Sequence, residues 1–483
     1  MTFTHLRMLF SKLTALRSFV PSIFIGIVLP NLSDLRVKAL SGMGRHQGSV
    51  KDALSKHLPE NTVITKTNDN ILLDKCATNE GRAERGLTFY ILANAISQQG
   101  TMGGNTKIML EFARRWAVTE EVNVITYEDG LKTCLNYDLN NVNYVMVPSS
   151  RFAKFGVPVY YGVQILGTCL TSLKTPKKTG CSVVYSASNF WPDVIPAIIM
   201  KRKNPRLKWI GSYYLMNPSA FTGFEEKRHF LPDIRLLASN FMDRVSFVLL
   251  LKYADAIFVT NDLDKKFFSD KGFSASKLKA IYGGVNLAEI SEVPEQQVKK
   301  YDCCFVGRIH PQKGVVYLID IWDRVHKMKP NAKLAIIGNG PKWYENKVRS
   351  EIRKRHLEKN IDMLGFMDGK EKYKILKSSR VFLHTSIYDN CGMAAAEGMA
   401  CGLPVVRFDI PALKVAYPKG TLVAPLIDCK KFADAAIAFL DDHILYNKIK
   451  TEALELVKSW DWNEKTFCLL NFVNTELNTA RDR

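Results

Sequence analysis

An alternation of short apolar strands with amphipathic helices runs through this chain twice, and that repeat limits the fold more than any other feature. The first series opens at Leu87–Ala95, an apolar run that reads as a buried strand. A loop, Gln98–Thr106, follows it. Ile108–Trp116 then sets apolar residues at 108, 109, 112, 113 and 116, the spacing of one helix face, and Glu121–Thr126 reads as the next strand. Strand, glycine loop, helix and strand make a βαβ unit, which requires a parallel sheet. Strands at Cys181–Tyr185, Lys208–Gly211 and Ala256–Thr260, and a helix over Arg235–Tyr253, continue the series.

The rhythm stops at residues 287–300, a charged connector with Glu292, Pro294, Glu295, Lys299 and Lys300. It restarts with the strand Asp302–Val306 and the helix Val315–Lys327. Strand Lys333–Ile337, helix Tyr344–Arg355, strand Val381–His384, helix Met393–Ala400 and strand Pro404–Val406 follow in order. At 483 residues the chain is too long for one ordinary core. The expected fold is therefore α/β, with two Rossmann-like, doubly wound parallel-sheet domains over residues 86–286 and 301–455. Residues 1–85 show no strong pattern and read as an N-terminal extension, disordered or membrane-associated. In sheets of this kind ligands bind in loops at the carboxyl ends of strands.

Hydrophobic residues at 47% and charged residues at 24% exclude global disorder. The charge balance is unusual: 67 Lys and Arg against 47 acidic residues give a net charge of +20. Such a field attracts nucleic acid, anionic lipid or a phosphorylated small molecule. No zinc-ligand spacing and no glycine-aromatic RNA-binding signature is present, so nucleic acid is not an expected partner. The ten cysteines include no Cys-x-x-Cys pair, which leaves neither a metal site nor a disulfide framework and favours reduced thiols. Near the amino end, Arg7, Lys12 and Arg17 precede an apolar run over Ser18–Pro30. That run falls short of the roughly 20 residues a membrane span needs.

Two segments carry chemistry. In the first, Gly307-Arg308-Ile-His-Pro-Gln-Lys313-Gly314, a strand ends in glycine and two cations stand in a loop before a helix. A diphosphate needs such a site: backbone approach at glycine, a planar Arg fork, a Lys point charge and a helix amino terminus. The second runs from Thr385 through Asp389, Asn390, Cys391, Gly392 and Met393 to Glu397 and Gly402. Its two carboxylates have seven residues between them, and Gly392 opens a helix whose free amides suit an anion or a sugar hydroxyl.

These segments resemble the retaining GT-B glycosyltransferases numbered four in the usual classification. That family carries Gly-Arg…Lys-Gly, a Gly-x-Gly-Pro turn, a Glu-x7-Glu segment, and a Gly-x-Pro-Val end. Here the turn is Gly338-Asn-Gly340-Pro341, a Leu364-Gly365-Phe366 step lies between, and the end is Gly402-Leu-Pro404-Val405. The resemblance implies a hexosyltransferase that uses a UDP- or GDP-linked sugar, needs no other cofactor and no metal, and retains anomeric configuration. It implies that Arg308 and Lys313 hold the donor diphosphate and that Glu397 accepts from the ribose. Asp389, where the family has Glu, would stand near the transferred sugar. Backbone groups of Asn390, Cys391, Gly392 and Met393 would contact sugar and phosphate; Gly365 and Phe366 would lie near the base, with Gly307 and Gly340 in the same site. Gly103 and Gly104 resemble the family's amino-terminal glycine loop beside the donor phosphates and the acceptor. Residues 456–483, with Trp460 and Trp462, would form a last helix packing back on the first domain. The acceptor would be a glycan or a lipid-linked or polysaccharide chain, and the protein cytoplasmic or peripheral on an anionic membrane surface.

Many relatives place a His after a first-domain strand, whereas Trp209–Leu215 contains none. No general base is assigned there, and His229 and His384 read as structural. A catalytically weak relative that binds partners or membrane is the alternative reading, favoured by Asp389 and the missing His. A Rossmann oxidoreductase would leave the segments at 308–313 and 389–397 without purpose.

Overall fold

The computed structural model describes residues 62–67, 70–75, 86–95, 102–147, 157–175, 181–224 and 232–477. His229 and residues 1–61 of the expected extension lie outside them. The strands are β1 (Thr62–Thr67), β2 (Asn70–Lys75), β3 (Thr88–Leu92), β4 (Glu121–Thr126), β5 (Asn143–Met146), β6 (Ser182–Ser186), β7 (Lys208–Tyr213), β8 (Ala256–Val259) and β9 (Leu278–Ala280), then β10 (Tyr301–Val306), β11 (Leu334–Ile337), β12 (Ile361–Gly365), β13 (Ser379–His384), β14 (Val405–Phe408) and β15 (Thr421–Ala424). They form two sheets, in the orders β1-β2-β5-β4-β3-β6-β7-β8-β9 and β12-β11-β10-β13-β14-β15. From β3 to β9, and throughout the second sheet, every pairing is parallel.

One difference from the sequence reading concerns the first domain's start. β1 and β2 form an antiparallel hairpin, and β2 pairs antiparallel with β5 through Asn70–Val145 and Ile71–Tyr144. Residues upstream of 86 thus contribute two strands to the first sheet. Both are short and half polar, so neither shows the continuous apolar run that marks a buried parallel strand.

Both faces of the second sheet are covered. Cys303 and Phe305 of β10 pack with Trp322, Val348 and Phe439, while Tyr301 and Cys304 pack on the other side with Tyr373, Met399 and Trp460. The adjacent cysteines are therefore core residues of opposite layers, as strand alternation demands. In the first sheet Phe89 stacks on Trp116 at 4.7 Å, and Trp116 stacks on Phe112 at 4.9 Å.

The last helix, Trp462–Phe472, completes that aromatic cluster: Trp462 meets Phe112 edge-on at 6.2 Å and Trp116 Nε1 donates to the Thr466 carbonyl at 3.3 Å. The chain returns there beside its outward crossing. Val285 N–H donates to Trp460 O at 2.8 Å and Trp462 N–H donates to Val285 O at 3.1 Å. Gly284 lies flat against the Trp462 ring, where a Cβ would come within 2.5 Å of it. Only glycine allows this approach.

Candidate active site

In each sheet the chain leaves a central strand, winds one way, then returns to the other side of that strand. The switch falls between β10 and β13 in the second sheet and between β3 and β6 in the first. Loops diverge at such points and leave a crevice at the carboxyl ends. This explains why segments far apart in sequence meet: the 307–314 and 385–392 loops leave neighbouring strands. They are bonded together: Ile387 N–H donates to Gln312 O at 3.0 Å, Thr385 Oγ1 to Lys313 O at 3.0 Å, and Gln312 Nε2 to Tyr388 O at 2.9 Å.

Arg308 stays exposed, and its guanidinium donates to Gln312 Oε1 at 3.1 Å. Lys313 Nζ lies 2.5 Å from Asp389 Oδ2. Burial opposes ionisation of Asp389, yet Lys313 and His384 beside it hold the carboxyl well below the usual carboxylate range. Its other oxygen, Oδ1, accepts from Gly392 N–H at 3.0 Å and Cys391 N–H at 3.3 Å. Asp389 thus closes the amino end of the helix Met393–Ala400, and Gly392 takes the left-handed conformation (φ 65°) this turn requires. Two amides that the sequence offers to a ligand are bonded within the chain.

Two histidines flank these groups. His384 is buried, with Nε2 3.4 Å from Asp389 Oδ2. The sequence reading treats it as structural, but it stands in the site. Burial, with Arg308 and Lys313 nearby, pushes His310 down to about 4. A neutral ring agrees with His310 Nδ1 accepting from Gln312 N–H at 3.2 Å.

Glu397 is paired with Lys372, which no sequence motif points to. Lys372 Nζ donates to Glu397 Oε1 at 2.8 Å and Asp368 Oδ1 at 2.7 Å. Burial favours the neutral amine, but Glu397 and Asp368 hold Lys372 well above its ordinary value. The signal that finds it is the four-residue spacing of Asp368 and Lys372 on the helix after Gly365-Phe366. Gly365 (φ 77°) has its carbonyl bonded by Gly338 N–H at 2.7 Å, and Phe366 is exposed. Gly307 N–H donates to Ile337 O at 3.0 Å, and Gly340 N–H to Glu345 Oε1 at 2.7 Å. Gly340 also backs onto Ile309, so the 307–309 and 338–340 turns lie together.

The first domain reaches this cluster through several contacts. A side chain on Gly104 would come within 3.3 Å of the Met393 methyl, which puts the Gly103–Gly104 loop beside the second loop's helix. Lys107 Nζ lies 3.9 Å from Asp368 Oδ2. Asn390 Nδ2 donates to Tyr214 O at 3.0 Å and Asp264 Oδ2 at 3.1 Å, and Asn390 O accepts from Asn261 Nδ2 at 3.0 Å. Cys391 Sγ donates to Tyr282 O at 2.7 Å and Tyr388 OH to Met216 O at 2.7 Å. Asn390 and Cys391, expected on sugar and phosphate, thus spend their side chains joining the two domains.

At the first sheet's own switch point lies Asp193, 1% exposed, accepting from Asn94 N–H at 2.8 Å and Ser188 Oγ at 2.5 Å. Burial pushes its pKa up to about 7, against the pull of these bonds. A raised carboxyl favours the fold while protonated and loses that benefit as pH rises through the folded value. Asp193→Asn removes the charge, keeps the bond from Asn94 N–H at its amide oxygen and reverses the one to Ser188, whose hydroxyl then accepts. The variant's stability relative to the parent should therefore grow between about pH 4 and 7, by up to about 4 kcal/mol. Urea unfolding across that range measures the difference; a difference independent of pH would contradict it.

Two parallel-sheet Rossmann-like domains whose carboxyl edges meet over exposed and buried cations define the GT-B class of fold. The solved structure of Anabaena Alr3699/HepE in complex with UDP and glucose superposes with a TM-score of 0.60 at 16% identity, over 81% of this chain and 100% of that one. Residues 288–455 match the family model for glycosyl transferases group 1. An uncharacterized glycosyltransferase of Methanocaldococcus jannaschii is 32% identical over 33% of this chain and 40% of its own length. The phosphatidyl-myo-inositol mannosyltransferase of Mycobacterium leprae is 29% identical over 38% of this chain and 50% of its own length. The match thus spans half or less of these two curated relatives.

Proposed function

We propose that this protein transfers a hexose from a UDP- or GDP-linked donor to a glycan or lipid-linked acceptor, with retention and without a metal ion. The observation that carries the reading is the placement of exposed Arg308 and half-buried Lys313 on one loop, and of half-buried Glu397 on the helix after the neighbouring loop, at the switch point of the second sheet. Arg308 and Lys313 hold the diphosphate, and Glu397 accepts from the ribose. The first domain, through the Gly103–Gly104 loop, brings the acceptor hydroxyl. The bond from the anomeric carbon to the diphosphate oxygen breaks while the acceptor oxygen bonds that carbon on the same face. The acceptor proton passes to the departing phosphate oxygen. Charge grows on the diphosphate, and preorganised cations in a site drier than bulk water stabilise it.

The named relative that acts on phosphatidyl-myo-inositol and the neighbour that holds UDP and glucose support this reading. Asp389 differs from the family's Glu by one methylene. Its role here is to hold Lys313 and cap the following helix, and an arriving diphosphate competes for the same ammonium. A panel of UDP and GDP sugars, read first by thermal shift and then by release of nucleotide with an acceptor, tests the function. At least one donor should raise the unfolding midpoint, because a ligand that binds only the folded state stabilises it. No shift and no nucleotide release across the panel would overturn the proposal.

A further inference from the structure

The first domain carries an apolar, basic surface that donor chemistry does not use. Helix Ile234–Tyr253 exposes Ile234 at 80% and Phe241 at 63%, with Leu237 and Val248 also exposed. Arg235, Arg244 and Lys252 are exposed on the same helix. Its one carboxylate, Asp243, is buried and accepts from Tyr213 OH at 2.9 Å and Asn189 Nδ2 at 2.5 Å. Helix Val157–Lys174 contains no carboxylate and exposes Val159, Leu166, Leu170 and Leu173. Eight large apolar side chains in water on two helices are unusual for a soluble surface.

Both helices pack against the helix Trp191–Lys203. Trp191 N–H donates to Tyr161 OH at 3.1 Å and Trp191 Nε1 to Met242 O at 3.2 Å, so the amino end of that helix joins the other two. That end borders the active site. Asn240 Nδ2 donates to Pro218 O at 3.0 Å, in the same loop whose Met216 O accepts from Tyr388.

We propose that helices Val157–Lys174 and Ile234–Tyr253 form a face that seats the first domain on an anionic lipid bilayer. In helix Ile234–Tyr253, apolar side chains interleaved with Arg235, Arg244 and Lys252 and no exposed acid are the pattern of a helix that lies in the plane of a membrane interface, and Val157–Lys174 adds apolar surface without a carboxylate. The cations meet lipid phosphates while Ile234, Leu237 and Phe241 enter the acyl boundary. A neutral apolar partner would leave the cations unmatched, and an acidic soluble partner would leave Phe241 and Ile234 in water. Such seating would present a lipid-linked acceptor to the first domain, a consequence that rests on the transfer reading above. Vesicle binding itself involves neither donor nor acceptor, so its failure leaves that reading standing.

Flotation of the full chain with phosphatidylcholine vesicles, and with vesicles of phosphatidylcholine and phosphatidylglycerol in equal parts, tests the proposal. The protein should float with the anionic vesicles only. Leu237→Asp with Phe241→Asp should lower the bound ratio about tenfold or more, as should Arg235→Glu with Arg244→Glu. Both pairs alter exposed positions, so circular dichroism and the unfolding midpoint should match the parent. Flotation of the Leu237→Asp, Phe241→Asp protein at the parent's level would overturn the proposal, whatever residues 1–61 contribute. Equal flotation on neutral vesicles would overturn the anionic partner. A concentration-dependent dimer that the same substitutions disperse would give the face to a second copy instead.

Discussion

Arg308→Ala should lower kcat at saturating donor by about 10²-fold or more while the unfolding midpoint stays near the parent's. The two halves of that expectation have separate sources. Arg308 is exposed and its guanidinium bonds Gln312, so its removal leaves no buried charge behind. Under the proposed function it acts on the departing diphosphate, which gains charge only as the glycosidic bond breaks, so the loss should fall on kcat more than on KM. Lys313→Ala should match it in kcat but also destabilise the fold, because the buried Asp389 carboxylate then loses the ammonium that pairs with it. Steady-state kinetics with each variant, normalised to nucleotide-binding sites, separates the effects. Unchanged turnover in both variants would remove these cations from the mechanism.

Lys372→Met should cost about 3–5 kcal/mol of folding stability, a larger loss than any surface ion pair would give. The ammonium is buried and shared by Asp368 and Glu397, and methionine leaves two half-buried carboxylates without it. The pH dependence identifies the cause. In the parent, burial works against ionised Asp368, but Lys372 and Lys107 hold its carboxyl well below the usual range. That contribution is present above the unfolded carboxyl pKa and is lost as pH falls through the folded one. The variant's unmatched carboxylates shift the opposite way, so the gap between parent and variant should narrow as pH falls toward about 4. Adding Asp368→Asn to Lys372→Met should recover part of the loss. Guanidinium unfolding at pH 7 and near pH 4 measures both. A gap that does not change with pH would mean lost packing, not lost charge, accounts for the cost.

The donor half of the site was more legible in the sequence than the contacts that hold it. Arg308 and Lys313 stand in a short loop, and Glu397 in the helix that follows another, and their composition reports position directly: glycine after an apolar strand, then a helix start. The restart of strand and helix at Asp302 likewise reveals a second domain without any tertiary information. Lys372 had only the weak local signal of its spacing from Asp368, because its partner Glu397 comes from another helix, and nothing local marks His310 or His384 as standing among the cations. Helix Trp191–Lys203 escaped for another reason. It holds Pro192 and Pro196 and its apolar residues do not confine themselves to one face, so neither the helical period nor the usual breaker logic finds it. The Asp389 carboxylate shows the limit most clearly. Sequence places it in the right loop but does not show that both oxygens bind groups of its own chain.

The return of the chain at Val285 bears on how the protein is made. Phe112 and Trp116 form part of the first domain's core, yet the surface that covers them belongs to Trp462 and Thr466. A ribosome completes the sheet that contains β3 to β9 long before residue 462 emerges. Domains otherwise fold as units in the order of synthesis. Here the first to appear is the last to be closed, and a nascent chain carries an uncovered aromatic face throughout translation of the second domain. Helpers that shield such faces during synthesis would have their longest engagement with the first domain, and a premature stop before Trp462 would leave that face permanently open.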